Sequence, residues 1–395
     1  MRTETAKKVR EAHYPAPYRL IDLFEEYGGD LDRMKRAETE AFAPLMVSDT
    51  ARNLRRVFAL SEEMKGLAPK GLEWKPLRVH VIGAGVMGAD IAGWCVASGM
   101  QASLQDLSPE QIEKGIKAQA KLFERKFRTP AARAAAEARL IADPDGLHVP
   151  RADIIIEAVV EKLDVKRKIF KDLEGKLKPG AVMATNTSSI MVEEIAEGLD
   201  DPGRLIGIHF FNPVAKMPLV EVVHGEGSDA QWIGKGCAFA SAINRYPLPV
   251  KSSPGFLVNR VLAPYLMEAI TMRLEGVGQE IIDAAAIRFG MPMGPIELAD
   301  VVGLDVCMQV AETLARGDVS AQRRLLQDMI DAGKLGKKSG EGFYAWNKGN
   351  AGRLPAEVDN PYGDLLAKRL LRPFLAECRA ASADGIVADD DLLDA

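Results

Sequence analysis

The chain has 395 residues, 47% hydrophobic and 27% charged, with 51 basic against 56 acidic side chains and a net charge of −5. At roughly 150 residues per domain this is about two to three domains of soluble, globular composition, and the charge balance disfavours nucleic acid or an anionic membrane as main partner. Cys95, Cys237, Cys307 and Cys378 lie far apart with no CxxC pair; this speaks against a disulfide framework or a zinc site and for a reducing compartment, taken as the cytoplasm. No apolar run approaches the ~20 residues of a membrane span, and the first residues lack the apolar core of a secretory signal.

Residues 1–76 are polar and helix-prone, with a turn at Tyr14-Pro-Ala-Pro17 and helical spacing from Ala37 to Lys65; they are expected to form a helical extension or linker. Leu77-Arg-Val-His-Val-Ile-Gly83 then reads as a buried strand. Strand candidates follow at Ala102–Gln105, Ile154–Ala158, Ala181–Thr185, Leu205–Phe210 and Leu219–Val223, with Pro109–Ala142 long, charged and helical. Such alternation predicts a doubly wound, mostly parallel α/β sheet with helices on both faces. From Pro254 onward helical periodicity takes over. The Lys251-Ser-Ser-Pro254 punctuation therefore divides the chain, giving expected regions of 1–76, 77–252, 253–346 and 347–395.

The helical part contains a repeat. Arg260-Val-Leu-Ala-Pro-Tyr-Leu-Met-Glu268 matches Arg369-Leu-Leu-Arg-Pro-Phe-Leu-Ala-Glu377 at an offset of 109, and Glu275-Gly-Val277 matches Asp384-Gly-Ile386 at the same offset. Ile282-Asp-Ala284 has a shifted echo in Leu393-Asp-Ala395. Duplication is the better reading. The second copy ends where the first runs on, so the expectation is a second helical repeat cut within itself at residue 395.

Val81-Ile-Gly-Ala-Gly-Val-Met-Gly88 places glycines at 83, 85 and 88 between a strand and the helix expected over Ala89–Ala97. A second strand then ends in Asp106, 18 residues beyond Gly88. Alone the G-x-G-x-x-G spacing is weak; in this context it is a Rossmann-like dinucleotide fingerprint. Gly83 allows the tight turn, Gly85 lets a pyrophosphate approach the backbone, and Gly88 lets the helix pack closely on the strand, while the helix N-terminus offers free N–H groups to the phosphates. Asp106 would accept hydrogen bonds from the adenosine ribose and repel a 2′-phosphate, and no arginine follows it, so NAD is expected over NADP.

Proton removal from an alcohol at neutral pH suits histidine. Of the five, His13 lies in the extension, His80 inside the first strand, and His148 and His224 at loop-like ends. His209 lies near the carboxyl end of its strand, where ligands gather in open α/β sheets. Glu221, flanked by aliphatics in Pro-Leu-Val-Glu-Val-Val, would be costly to bury without a partner, and a carboxylate holding a histidine ring is a recurrent catalytic arrangement. Ala184-Thr-Asn-Thr-Ser-Ser189 ends another strand; Ser189 is expected to cap the next helix, leaving Asn186 and Ser188 at the sheet edge. Glu161 and Lys166 follow Ile154–Ala158 similarly, although a solvated helix start also accounts for them.

Gly83-Ala-Gly-Val-Met-Gly88, Glu157-Ala-Val-Val-Glu161, Thr185-Asn-Thr-Ser-Ser189, His209-Phe-Phe-Asn-Pro213, Val220-Glu-Val222 and Pro254-Gly-Phe-Leu-Val-Asn-Arg260 together resemble the L-3-hydroxyacyl-CoA dehydrogenase family. Gly333-Lys-Leu-Gly-Lys-Lys-Ser-Gly-Glu-Gly-Phe-Tyr344 resembles the closing motif of its helical domain, and the resemblance runs from about residue 77 to 346. It implies His209 as general base with Glu221 as its partner, and Ser188 and Asn259 at the substrate's 3-oxygen. It implies Met87, Val160, Glu161, Lys166, Asn186, Ser188, Asn212 and Lys338 around the cofactor, beside Gly83, Gly85, Gly88 and Asp106. The substrate class it implies is a (3S)-3-hydroxyacyl-CoA, oxidised to the 3-oxoacyl-CoA in fatty-acid β-oxidation, and homodimers through the helical domain are common in single-function relatives. The flanks resemble multifunctional fatty-acid oxidation enzymes, whose hydratase domain residues 1–76 are too few to form. Lys114, Lys117 and Lys121 could reach CoA phosphates or simply line a solvated helix face. Two rival classes stay open: another NAD-linked 3-hydroxyacid dehydrogenase, or a non-catalytic dinucleotide-binding scaffold.

Overall fold

The computed structural model of the chain describes all residues except 315–316, 348 and 353–359. It divides into one unit of Met1–Glu63 with Asp394–Ala395 and a second of Met64–Leu393. The first holds α1 (Arg2–Ala6), α2 (Pro15–Tyr27), α3 (Leu31–Val47) and most of α4 (Asp49–Gly66). Tyr14 is the N-cap of α2 and Pro15 its first residue, so the expected turn at 14–17 is a helix start, where proline's fixed φ and missing N–H are no burden. The 37–65 run is likewise two helices, broken at Ser48, whose backbone is extended. No described helix is long and apolar enough to cross a membrane.

The second unit is built on strands β1 (Arg78–Ile82), β2 (Gln101–Gln105), β3 (Leu140–Ala142), β4 (Ile154–Glu157), β5 (Val182–Thr185), β6 (Leu205–Phe210), β7 (Leu219–His224) and β8 (Tyr246–Lys251), in the order β3-β2-β1-β4-β5-β6-β7-β8. Every neighbouring pair is parallel except β6 with β7. Residues 211–218 are too few for a crossover, so β7 can only return antiparallel. The helices between strands are α5 (Val86–Ala97), α6 (Pro109–Ala118), α7 (Ala120–Lys126), α8 (Pro130–Glu137), α9 (Leu163–Glu174), α10 (Val192–Ala196) and α11 (Ala230–Ala242). The expected single helical stretch over 109–142 is thus three helices and an edge strand. Thr129 caps α8 through the Ala132 amide, and the three residues of β3 are too short to show alternation. Side chains of successive strand residues point to opposite faces: Ile154 and Ile156 join the core under α5 and α11, Ile155 the core on the other face. All three are fully buried, and each such side chain contributes about 1.5–3 kcal/mol.

After the sheet come α12 (Val258–Leu274), α13 (Gln279–Phe289), α14 (Pro295–Val302), α15 (Leu304–Leu314), α16 (Ser320–Asp331), a hairpin of β9 (Trp346–Asn347) and β10 (Asn350–Ala351), then α17 (Gly363–Ala383) and α18 (Asp390–Asp394). The hairpin is a small exception to the all-helical expectation. Residues 336–346 wrap Asp300: its carboxylate accepts from the Phe343 and Tyr344 amides at 2.8 Å and from Trp346 Nε1 at 3.0 Å. A Cβ on Gly342 would lie 2.0 Å from Asp300 Oδ1, so the glycines of this motif are there to let the strap close.

The two repeat copies meet as partners. Arg260 donates to Glu377 at 2.7 Å and pairs with Asp384. In return Arg369 pairs with Glu268 and bidentately with Glu275 at 2.6 and 2.8 Å. Each arginine reaches the acids of the other copy, the reciprocity that a two-fold relation produces. The two ends differ in burial: side-chain exposure is 11% and 9% for Arg260 and Glu377, but 39% and 48% for Arg369 and Glu275. Removing one member of a buried pair costs about 3–5 kcal/mol, whereas exposed pairs contribute about 0–1 kcal/mol. Thermal or urea unfolding should therefore show Arg260→Met strongly destabilised and Arg369→Met only slightly; equal effects would mean that burial does not govern these pairs.

Candidate active site

The glycine loop leaves β1 with Gly83 at φ +104°, where a Cβ would lie 2.5 Å from the Ala158 carbonyl oxygen. A Cβ on Gly88 would lie 1.8 Å from the Gly83 oxygen, so α5 starts immediately, at Val86, and packs against the loop. Nothing stands within 4 Å of a Cβ position on Gly85. That space, at the N-terminus of α5, is a cradle where phosphates can meet unpaired N–H groups. Asp106 closes it: Oδ2 accepts from the Ala84 amide at 2.7 Å and Oδ1 from the Ser108 amide at 3.0 Å. Val86, Leu107 and Val160 stand exposed at the same sheet edge and Met87 is half-buried, apolar surface suited to a flat ring. The residues present fit a dinucleotide.

At the other end of the edge, strand register sets His209 directly opposite Glu221 across the antiparallel β6–β7 pair. His209 Nδ1 and Glu221 Oε2 are 2.6 Å apart. Glu221 Oε1 accepts from the Leu257 and Val258 amides, at 3.1 and 2.9 Å, at the start of α12. Free amides and the helix dipole favour an anion there. Because Nδ1–H is committed to the carboxylate, Nε2 carries the lone pair. The ring is boxed edge-on by Phe211 and Phe256, centroids 4.7 and 5.5 Å away. Phe256 is fully buried at φ +52°, a left-handed backbone that costs a bulky residue energy. That turn is what aims the next two amides at Glu221.

The turn after β5 supplies the third side. Asn186 Oδ1 accepts from the Phe210 amide at 2.9 Å, tying this turn to the end of β6. Asn259 Nδ2 donates to the Ser188 carbonyl at 3.4 Å, so Ser188 and Asn259 are brought together from β5 and α12. Ser189 does not cap a helix: α10 begins only at Val192, and Ser189 Oγ donates to Glu161 at 3.1 Å. Glu161 Oε1 also accepts from Thr187 Oγ1 and the Ser188 and Ser189 amides. Lys166 is fully buried, its ammonium 2.8 and 3.0 Å from Glu157 and 3.2 Å from Glu161. Burial raises the Glu161 carboxyl, but Lys166 and the turn's donors outweigh it and hold the group below the usual carboxylate range. Asn212 stands exposed just past β6. Lys338 pairs with Asp305 at the start of α15, within the helical part.

The remaining histidines serve elsewhere. His80 is sandwiched between Ser103 at 2.8 Å and Gln105 at 2.9 Å, its pKa lowered by burial. His148 leans on Asp143, and burial lowers His224 at the end of β7. Glu157, Thr187 and Phe256 belong to the site and were not singled out from the sequence. Glu157 carried the signal that exposed Glu221, a carboxylate closing an aliphatic strand; Thr187 and Phe256 carried none.

The model for the NAD binding domain of 3-hydroxyacyl-CoA dehydrogenase matches residues 78–253, and that for the C-terminal domain of the same enzyme matches 255–346. Among solved structures, FadB2 of M. tuberculosis is 34% identical, covering 69% of this chain and 100% of its own, with a TM-score of 0.64. The 3-hydroxybutyryl-CoA dehydrogenase of Escherichia coli K12 is 36% identical over 73% of this chain, which spans 63% of that protein's length, with a TM-score of 0.63. The dehydrogenase part of multifunctional enzyme 1 from C. elegans, at 23% identity, 85% and 84% coverage and a TM-score of 0.60, shares the fold. The chain thus belongs to the 3-hydroxyacyl-CoA dehydrogenase family and is an NAD-dependent oxidoreductase.

Proposed function

We propose that the protein oxidises a (3S)-3-hydroxyacyl-CoA to the 3-oxoacyl-CoA, as in fatty-acid β-oxidation. The observation that carries this is the buried His209–Glu221 pair anchored on α12 at the carboxyl edge of a dinucleotide-binding sheet. NAD, when bound, supplies the hydride acceptor. Gly83, Gly85 and Gly88 would hold its phosphates and Asp106 its adenosine ribose, with Met87, Val160, Glu161, Asn186, Ser188 and Asn212 along the rest of the edge. His209 Nε2 takes the hydroxyl proton. Glu221 holds the ring and stabilises the imidazolium that results. Ser188 and Asn259 offer donors to the substrate oxygen as it gains carbonyl character.

The duplicated helix pair supports the reading that this is the dehydrogenase part of a multifunctional enzyme. A homodimer would then use helical faces other than the one α17 covers on α12. A reducing compartment such as the cytoplasm rests on the four cysteines lying far apart in the sequence without a CxxC pair.

Loss of a positioned general base costs about 10²–10⁴-fold. His209→Gln should lower kcat for NADH-dependent reduction of acetoacetyl-CoA by that much while NADH still binds, as read by its fluorescence; retained turnover would remove His209 as the base. Glu221→Gln should also lower kcat with cofactor binding largely intact, and an unchanged rate would take Glu221 out of the mechanism. Charged hydrogen bonds contribute about 1.5–3 kcal/mol, so Asp106→Ala should raise the Kd for NADH at least about tenfold and narrow the preference over NADPH; unchanged selectivity would place the ribose elsewhere.

A further inference from the structure

Lys166 sits where a residue serving the cofactor is expected, yet its geometry points inward. An ammonium has three donors, and three carboxylate oxygens stand within 3.2 Å of this one: both of Glu157 and Oε2 of Glu161. Its exposure is nil. Each carboxylate passes the connection on to one turn. Glu157 accepts from Thr185 Oγ1 at 2.7 Å, and Thr185 Oγ1 accepts from the Thr187 amide at 3.3 Å. Glu161 gathers four donors from Thr187, Ser188 and Ser189 on its other oxygen. Glu157, fully buried, and Glu161, half-buried beside it, would repel each other and demand water without a shared cation.

We propose that Lys166 is a positioning residue: by clamping Glu157 to Glu161 it sets the 187–189 turn, and through the turn the Ser188 hydroxyl and the Ser188 carbonyl that receives Asn259. This deepens the dehydrogenase reading and rests on it for the role of Ser188. The ammonium is engaged inside the clamp: its hydrogen bonds go to Glu157, its ion pair to Glu161, and it has no exposure through which to meet the cofactor. Its effect reaches the reaction only through the position of the turn, where a shift of about 1 Å can cost 10²-fold in rate.

Two variants separate this from a cofactor contact. Lys166→Met leaves Glu157 facing Glu161 without the cation. Glu157→Gln/Lys166→Met removes one charge of each sign, leaves the four donors on Glu161, and keeps the fold testable if the single variant does not accumulate. Three readouts apply: amide hydrogen exchange over 185–190, kcat with acetoacetyl-CoA at saturating NADH, and the Kd for NADH by fluorescence. In Lys166→Met, exchange in the turn should rise at least about tenfold and kcat fall about 10–100-fold, with Kd within about threefold; the double variant should regain most of both. A Kd that rises in both variants while kcat at saturation is kept would overturn the proposal in favour of a cofactor contact. Unaltered exchange in Lys166→Met, or a double variant as slow as the single, would overturn it too. Exchange is read without turnover. A wild type inactive on acetoacetyl-CoA therefore sinks the dehydrogenase reading, while the exchange comparison still decides whether Lys166 holds the turn.

Discussion

Glu221 is a carboxylate with no exposure, and the way its charge is compensated organises the molecule. One oxygen takes His209 from the neighbouring strand and the other takes two amides from the head of α12. A buried anion is tolerated only when its lone pairs are filled, so the sheet and the helical part are obliged to meet here. The first residues of α12 each act in a different direction: the Val258 amide goes to Glu221, the Asn259 side chain to Ser188, and Arg260 to Glu377 and Asp384. A base, a substrate-facing turn and the second repeat are thereby referred to a single helical turn.

The second unit buries other carboxylates by two different means, and the outcome differs in sign. Asp283 accepts the Ile296 and Glu297 amides and the Tyr344 hydroxyl, all neutral donors; burial prevails and pushes it up to about 6. Asp300, held by two amides and an indole, is also raised by burial. Glu161 has neutral donors as well, but Lys166 beside it reverses the direction. Neutral donors suffice where a carboxylate only closes a strap. At the reaction edge, where a lasting charge must hold a turn in one place, a cation is present.

What could be read from the sequence was whatever is local. The glycine loop and Asp106 lie within one strand–helix–strand unit, and steric demand at Gly83 and Gly88 is written in the residues themselves. His209 and Glu221 were legible because a charge inside an aliphatic strand requires a partner, and a short connection places the two strands side by side. The direction of β7 is set by that same short connection, which periodicity does not reveal. Three-residue β3 is invisible to alternation, since it exists only as β2's neighbour. Ser189 failed as a cap because Glu161, 28 residues earlier, competes for its hydroxyl. The contact of Lys338 was not legible because Asp305, its partner 33 residues earlier, lies at the start of α15, whereas Lys338 stands in the turn of the glycine-rich strap.

The repeat shows how a symmetric sequence comes to serve an asymmetric site. Matching residues in the two copies, offset by 109, form matching ion pairs, yet only the Arg260–Glu377 pair is largely buried, Asp384 being exposed like Arg369 and Glu275. The Arg260 end lies beside Phe256 and Leu257, in a core that also takes Ala381, Ile386 and Val387 from the second copy, and the Lys251 amide donates to the Ile386 carbonyl at 2.8 Å. The Arg369 end faces solvent, where screening leaves its pairs little to contribute. One junction between the copies is therefore fused to the back of the sheet, one residue from Asn259, and the other is not. The second copy closes the core on which the head of α12 rests, and the position of that helix head is what Glu221 and Ser188 depend on.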